Sequence, residues 1–377
     1  TDTALLLNRL IDGGASVRYE EEGTLIVLGP AWTPLPSYGF YNRGLTLKEG
    51  DESFAPFVRF KVKSRFLEHT LTRDNVVRDE NFDKAMKLGR RLAHDELPDK
   101  VLAECRELAA ALSKALGSGN AELSRSLAED WGRRLPYLMS LFGQWRRFFK
   151  AWDAEPILPG VGGRAVSVKE AKAGARAAGA LWVDALRSPI SDSLDAAGQP
   201  VLYGLWGNEI ARMIGARRCL SASNSFIRPL LIEKPEPALR ALLDRANAVD
   251  ASSAYRYERV AVAEFAYPGS SIAEQLFVIQ NEAGALRAAD EKPRSSFFWL
   301  GRRRRCAVIN AAHPFVRQLA ALHASRPGLA VFLLLKTLHL HDGEVSSKQR
   351  AKFSSLAEQT EKRLLAEALK IDAGRAA

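Results

Sequence analysis

The stretch VKEAKAGARAAGALWVDALRSPISDSLDAAGQPVLYG, Val168 to Gly204, decides the fold class. Small and apolar residues at helical spacing predict a helix over 169–178. The run Leu181–Val183 then reads as a buried strand, because aromatic and β-branched residues crowd a short span. A second helix follows through SPISDSLDAA and stops at Gly198, and PVLYG reads as the next strand. Strand, helix and strand joined by short links predict a parallel α/β unit. The preceding PGVGGR, Pro159 to Arg164, lacks the lysine ending of a phosphate loop and the spacing of a dinucleotide fingerprint, so it reads as a turn between two strands.

Upstream, the chain alternates short elements. DTALLLNRLIDGG reads as a helix ended by Gly13-Gly14, and SVRYEEEGTLIVLGP as two strands around a Glu/Gly turn. FYNRGLTLKEG reads as another strand pair around Asn42-Arg43-Gly44, and FVRFKVKS, from Phe57, as a half-exposed strand whose apolar residues alternate imperfectly with Arg59, Lys61 and Lys63. Two amphipathic helices follow, the first presenting Phe82, Ala85, Met86, Gly89 and Ala93 on one face, the second Val101, Leu102, Cys105, Leu108, Ala109, Leu112 and Leu116. Residues 121–152 read as helical and aromatic, with Pro136 dividing them. Beyond a joint at EKPEPAL the sequence predicts a helix, a strand pair in AYRYERVAVAEFAYPG, a helix over Ile272–Arg287, a hairpin in FFWLGRRRRCAVIN, and terminal helices.

The expected class is α/β (α+β overall). The expected domains are a large α/β part over 1–117, a helical segment over 118–152, a small α/β part over 153–235, and a mixed C-terminal domain over 236–377. With 377 residues, about two to three domains are expected. The apolar fraction of 47% is enough for a sizeable core. No apolar run reaches the ~20 residues a bilayer needs. The longest, LAVFLLLKTLHL from Leu329, is broken by Lys336 and reads as a buried helix, so no membrane contact is expected. Cys105, Cys219 and Cys306 are odd in number and lack metal-ligand spacing, which predicts reduced thiols in a cytoplasmic protein and no metal site.

Net charge is +10, which is compatible with nucleic-acid or acidic partners. The densest cluster, Arg302, Arg303, Arg304 and Arg305, follows Phe298 and Trp299. It reads either as a solvated hairpin tip or as a nucleic-acid patch. Trp131, Trp145 and Trp152 read either as packed core, which helical spacing favours, or as an apolar contact surface. Asn310 and His313, at a strand-to-helix link, read as backbone caps. His339 and His341 face different ways on a helix and make a poor metal pair. Arg73 reads either as a solvated charge at a helix start or as a group that reaches a phosphate held elsewhere.

Three stretches, in order, resemble the middle and C-terminal regions of the ninety-kDa heat-shock chaperone family, in its divergent bacterial form. VKSRFLEHTLTRDNVVRDENFDKAMK, Val62 to Lys87, is similar to that family's strand–loop–helix, whose loop carries N-x-S-R-E. SPISDSLDAAGQPVLYG, Ser188 to Gly204, is similar to the segment where a helix leads into G-x-E-V-L-Y. VINAAHPFVRQLAAL, Val308 to Leu322, resembles N-x-x-HP-x-V-x-x-L.

The resemblance implies an α/β/α middle domain, a helical linker and a smaller α/β unit. It also implies that Arg73 is the arginine that reaches the γ-phosphate of ATP on a preceding ATPase domain. Thr72 matches the serine before it and Asp74 the glutamate after it, while Val77 stands where the family has a glutamine. The Glu/Asn and D-x-G-x-G elements of that ATPase domain are absent from this sequence. The implied ATP and Mg therefore bind upstream, this chain alone binds no cofactor, and hydrolysis belongs to the longer protein. Implied partners are partly folded client proteins and a second copy, met through terminal helices with Phe353, Leu356, Leu364, Leu365 and Ala368 as the seam. The competing expectation is a nucleic-acid-associated module of an ATP-dependent complex.

Overall fold

The computed structural model describes residues 15–31, 38–50, 57–72, 75–144, 150–250, 257–291, 305–341, 362–363, 365–366 and 369–370. The expected helix before Gly13 lies outside them. By packing, the chain divides into two compact units, 1–187 with 194–221, and 188–193 with 222–377. The fold is mixed α/β.

In the first unit, β1 (Val17–Glu21) and β2 (Thr24–Pro30) form a hairpin. Its two turn residues, Glu22 and Gly23, both have positive φ, 50° and 81°. That is the backbone of a type I′ turn, whose twist suits a two-residue hairpin. β3 (Tyr38–Asn42) and β4 (Leu45–Gly50) repeat the device around Arg43 and Gly44.

β5 (Val58–Ser64) was expected to be half-exposed. It lies instead at the centre of a five-stranded sheet of order β1-β2-β5-β3-β4, antiparallel to β2 and parallel to β3. Neighbours on both edges bury even Lys61. Helices α1 (Glu80–Asp95) and α2 (Leu97–Ser118) pack on this sheet, joined in one core by Ile26, Leu28, Phe60, Val62, Leu92 and Val101. The same core continues through α3 (Ala121–Gly132) and α4 (Leu135–Gln144).

Past a short hairpin of β6 (Leu158–Pro159) and β7 (Ala165–Val166), α5 (Val168–Ala178) opens with a capping box. Glu170 N–H donates to Ser167 Oγ at 3.1 Å, and Ser167 N–H donates to the Glu170 carboxylate at 2.8 Å. β8 (Leu181–Asp184), α6 (Pro189–Ala196), β9 (Val201–Tyr203), α7 (Gly207–Ile214) and β10 (Cys219–Ser221) then make the expected parallel unit, in order β10-β8-β9.

In the second unit, after the single turn α8 (Ala222–Ser225), β11 (Phe226–Ile227) pairs with β15 (Arg287–Ala288). A four-stranded sheet runs β12 (Leu230–Leu231), β13 (Arg259–Glu264), β16 (Cys306–Asn310), β14 (Phe277–Gln280). β12 pairs with β13 across EKPEPAL, so the joint expected there falls inside one sheet, and the division comes at 221/222 instead.

α9 (Pro237–Asp250), α10 (Pro314–Ser325) and α11 (Pro327–His341) share a core with β13 and β16. A second core of Ile227, Phe265, Ile272, Val278 and Val308 draws on the residues that point the other way along these strands. The helix expected over Ile272–Arg287 is replaced by β14, a Gly284 turn with φ 79°, and β15. Ile272, Leu276 and Ile279 mimic helical spacing, but the consecutive run Leu276–Ile279 satisfies a strand whose backbone pairs with β16. β16 is likewise no hairpin arm, because β13 and β14 occupy both of its edges.

Candidate functional site

Between β5 and α1 the chain forms a narrow antiparallel ladder. Val77 N–H donates to Glu68 O at 2.8 Å, His69 and Val76 form a bridge, and Thr70 N–H donates to Asn75 O at 3.0 Å. Its base is anchored by the buried side chains of Leu67 and Val76, and by Asn42 Nδ2, which donates to Leu67 O at 2.6 Å. At the far end Leu71 is fully exposed and Thr72 is exposed, with its hydroxyl 3.2 Å from that of Thr70. A fully exposed leucine gains nothing from the chain that carries it, so the ladder displays its end to solvent.

Arg73 and Asp74 lie outside the described residues. The helix expected to open beside them begins later, at Glu80. Its cap is Asp79, whose carboxylate accepts from Phe82 N–H at 2.8 Å. Acid at this position answers the orphan amides and positive end of the helix. Val77, standing where the resemblance has a glutamine, is half-buried.

Sequence reasoning missed Lys61 on the sheet next to this ladder. It is 4% exposed, 3.6 Å from Glu49 Oε1, and its ammonium sits 5.0 Å from the Tyr41 ring centroid. Burial pulls the Lys61 ammonium below its ordinary value of 10.5, and Glu49 opposes this. Tyr41 donates a hydrogen bond to the same carboxylate, and its phenol is held well above the usual range by burial and then by that bond. The available signal was the Glu49 that β4 supplies, since a lysine can be buried where a carboxylate is within reach.

The tryptophans separate. Trp131 is fully buried and its indole N–H donates to Ile157 O at 2.9 Å, so it is core and offers no client contact. Trp152 is half-buried, with its indole N–H 3.2 Å from Asp99 Oδ1. Trp145 lies outside the described residues, as do Arg302, Arg303 and Arg304. Arg305 is half-buried and its carbonyl accepts from Glu258 N–H at 2.8 Å, which ties it to the start of β16.

Asn310 and His313 cap, as expected. Asn310 Nδ2 donates to Ala273 O and Gln275 O, its Oδ1 accepts from Ala312 N–H, and His313 Nδ1 accepts from Phe315 N–H. Of the expected dimer seam, Leu365 alone is among the described residues, and it is exposed. Among the described residues no group of three or more His, Cys, Asp and Glu is placed to hold a metal ion, and no helix is long and apolar enough to cross a membrane.

No family model matches this sequence. No curated protein matches it either.

Proposed function

We propose that this chain is the middle and C-terminal part of an ATP-driven chaperone of the ninety-kDa heat-shock type. It holds partly folded clients and offers Arg73 to ATP and Mg bound by a separate, preceding domain. The observation that carries this reading is the Glu68–Val77 ladder. The stretch that resembles the family's phosphate-sensing loop is rooted in the core at Leu67 and Val76 and ends in exposed Leu71 and Thr72. The adjoining helix has its own cap in Asp79. A guanidinium offered from such a loop stabilises charge on a transferred phosphoryl group only when the two domains dock, which makes hydrolysis conditional on docking.

The test uses the whole reading frame that contains this chain. Arg73→Ala slows ATP turnover at least about tenfold while nucleotide affinity stays within about twofold. Unchanged turnover, or a frame with no nucleotide-binding domain ahead of Thr1, overturns the proposal. The nucleic-acid alternative rests on the +10 charge and Arg302–Arg305. Salt separates the two readings. Oligonucleotide binding falls steeply between 50 and 200 mM salt for a protein with about six or more phosphate contacts, whereas suppression of client aggregation holds across that range.

A further inference from the structure

The first unit contains an open cavity of about 530 Å³ that no part of the chaperone reading uses. Its walls come from three distant stretches of sequence: Phe57 ahead of β5, the α3–α4 joint with Leu135, Pro136 and Met139, and Trp206 at the mouth of α7. The volume is within the ~300–1,000 Å³ of small-molecule sites, and the lining has their character of apolar walls with a few polar groups.

Two features show how the cavity is shaped. Gly132 lets Trp206 close on the end of α3, since a Cβ there would come 2.2 Å from Trp206 Cζ2. The indole is further held against Trp131, with ring centroids 5.2 Å apart, and Tyr203, at 6.1 Å. Phe57, also in the lining, has φ 58°, a left-handed conformation that a bulky L residue rarely adopts. Backbone strain of this kind gathers where a side chain must be aimed for function.

Among the described residues that line it, Glu209 is the one ionisable group, Ser140 is the other polar side chain, and none is a lysine, arginine or histidine. Glu209 Oε1 accepts from Arg212 Nη2 at 3.2 Å, and that guanidinium is largely exposed. Glu209 Oε2 has no protein partner among the described residues. Aromatic faces attract cations, and a carboxylate rejects an anion brought beside it.

We propose that this cavity binds an amphiphilic organic cation, an ammonium or amidinium carried on a ring-sized apolar body. The cationic head pairs with Glu209 and the body packs between Trp206 and Met139. This site stands independently of the chaperone reading.

The experiment is calorimetric titration of the chain with three compounds that share one ring: tryptamine, indole and indole-3-acetate. Tryptamine binds at least about tenfold more tightly than indole, and indole-3-acetate shows no binding. Glu209→Gln erases the advantage of tryptamine and leaves indole unchanged. Met139→Trp, which fills a half-buried wall, weakens both; its melting temperature, followed by circular dichroism, shows whether the fold has survived. Three results overturn the proposal: no tryptamine binding at millimolar concentration, equal affinity for tryptamine and indole in the wild type, or a tryptamine preference that survives Glu209→Gln. The Glu209→Gln arm alone suffices if Met139→Trp fails to fold.

Discussion

β5 and β16 occupy the same place in two different sheets. Each is central, with one parallel and one antiparallel neighbour: β3 and β2 for β5, β13 and β14 for β16. Their compositions are unlike. β16, CAVIN, is buried along its whole length and carries its one polar side chain at the end, where Asn310 finds three backbone partners. β5, VRFKVKS, carries a lysine at its middle, and that lysine is just as buried. A continuous apolar run is therefore one route to a central strand. The other is a cation with an aromatic face and a carboxylate at hand, here Tyr41 and Glu49. The second route is the more costly, because desolvating an ammonium opposes folding, and a half-exposed glutamate repays only part.

That contrast can be broken at its strongest point first. Ile309→Ala in β16 leaves a cavity in the core shared with α10 and α11, and costs about 3–4 kcal/mol by urea denaturation. If β5 is as central as its pairing shows, Val62→Ala costs about 2 kcal/mol; a loss near zero would return β5 to the surface strand its sequence suggests. Asn310→Ala removes a buried side chain that holds two carbonyls and an amide, and costs about 1–2 kcal/mol.

The smallest effect is the most informative. Lys61→Met, similar in length and free of desolvation cost, stays within about 1 kcal/mol of wild type at neutral pH. The sign of its pH dependence follows from linkage. Because the folded chain holds the Lys61 proton less tightly than the unfolded chain, the unfolded state binds more protons just below 10.5, and stability from this group rises with pH there. Lys61→Met removes that rise in a denaturation series taken below the titration of Tyr41. A rise of equal slope in the variant would mean that Lys61 is not the group responsible.

Much of the local structure was legible in the residues themselves. The turns at Glu22-Gly23 and Arg43-Gly44, the helix stop at Gly198, and the Asn310–His313 link are all set by neighbours a few positions away. Their chemistry is therefore complete within the sequence window that shows it. The parallel β8–β9–β10 unit follows from them, because short links leave little choice of partner. The exposed end of the Glu68–Val77 ladder was placed only loosely, since the motif pointed to a loop while the actual helix cap, Asp79, lies further along.

What the residues determined alone was the class of element at most positions and the alternation that makes this a mixed α/β chain. The tertiary structure decided which strands are central, that 272–287 is strand and turn, and that Trp131 is core. It also brought Phe57, Gly132, Trp206 and Glu209 around one cavity. Each of these depends on partners tens of residues away or more. Periodicity reports which face of an element is apolar, and is silent on what comes to cover it.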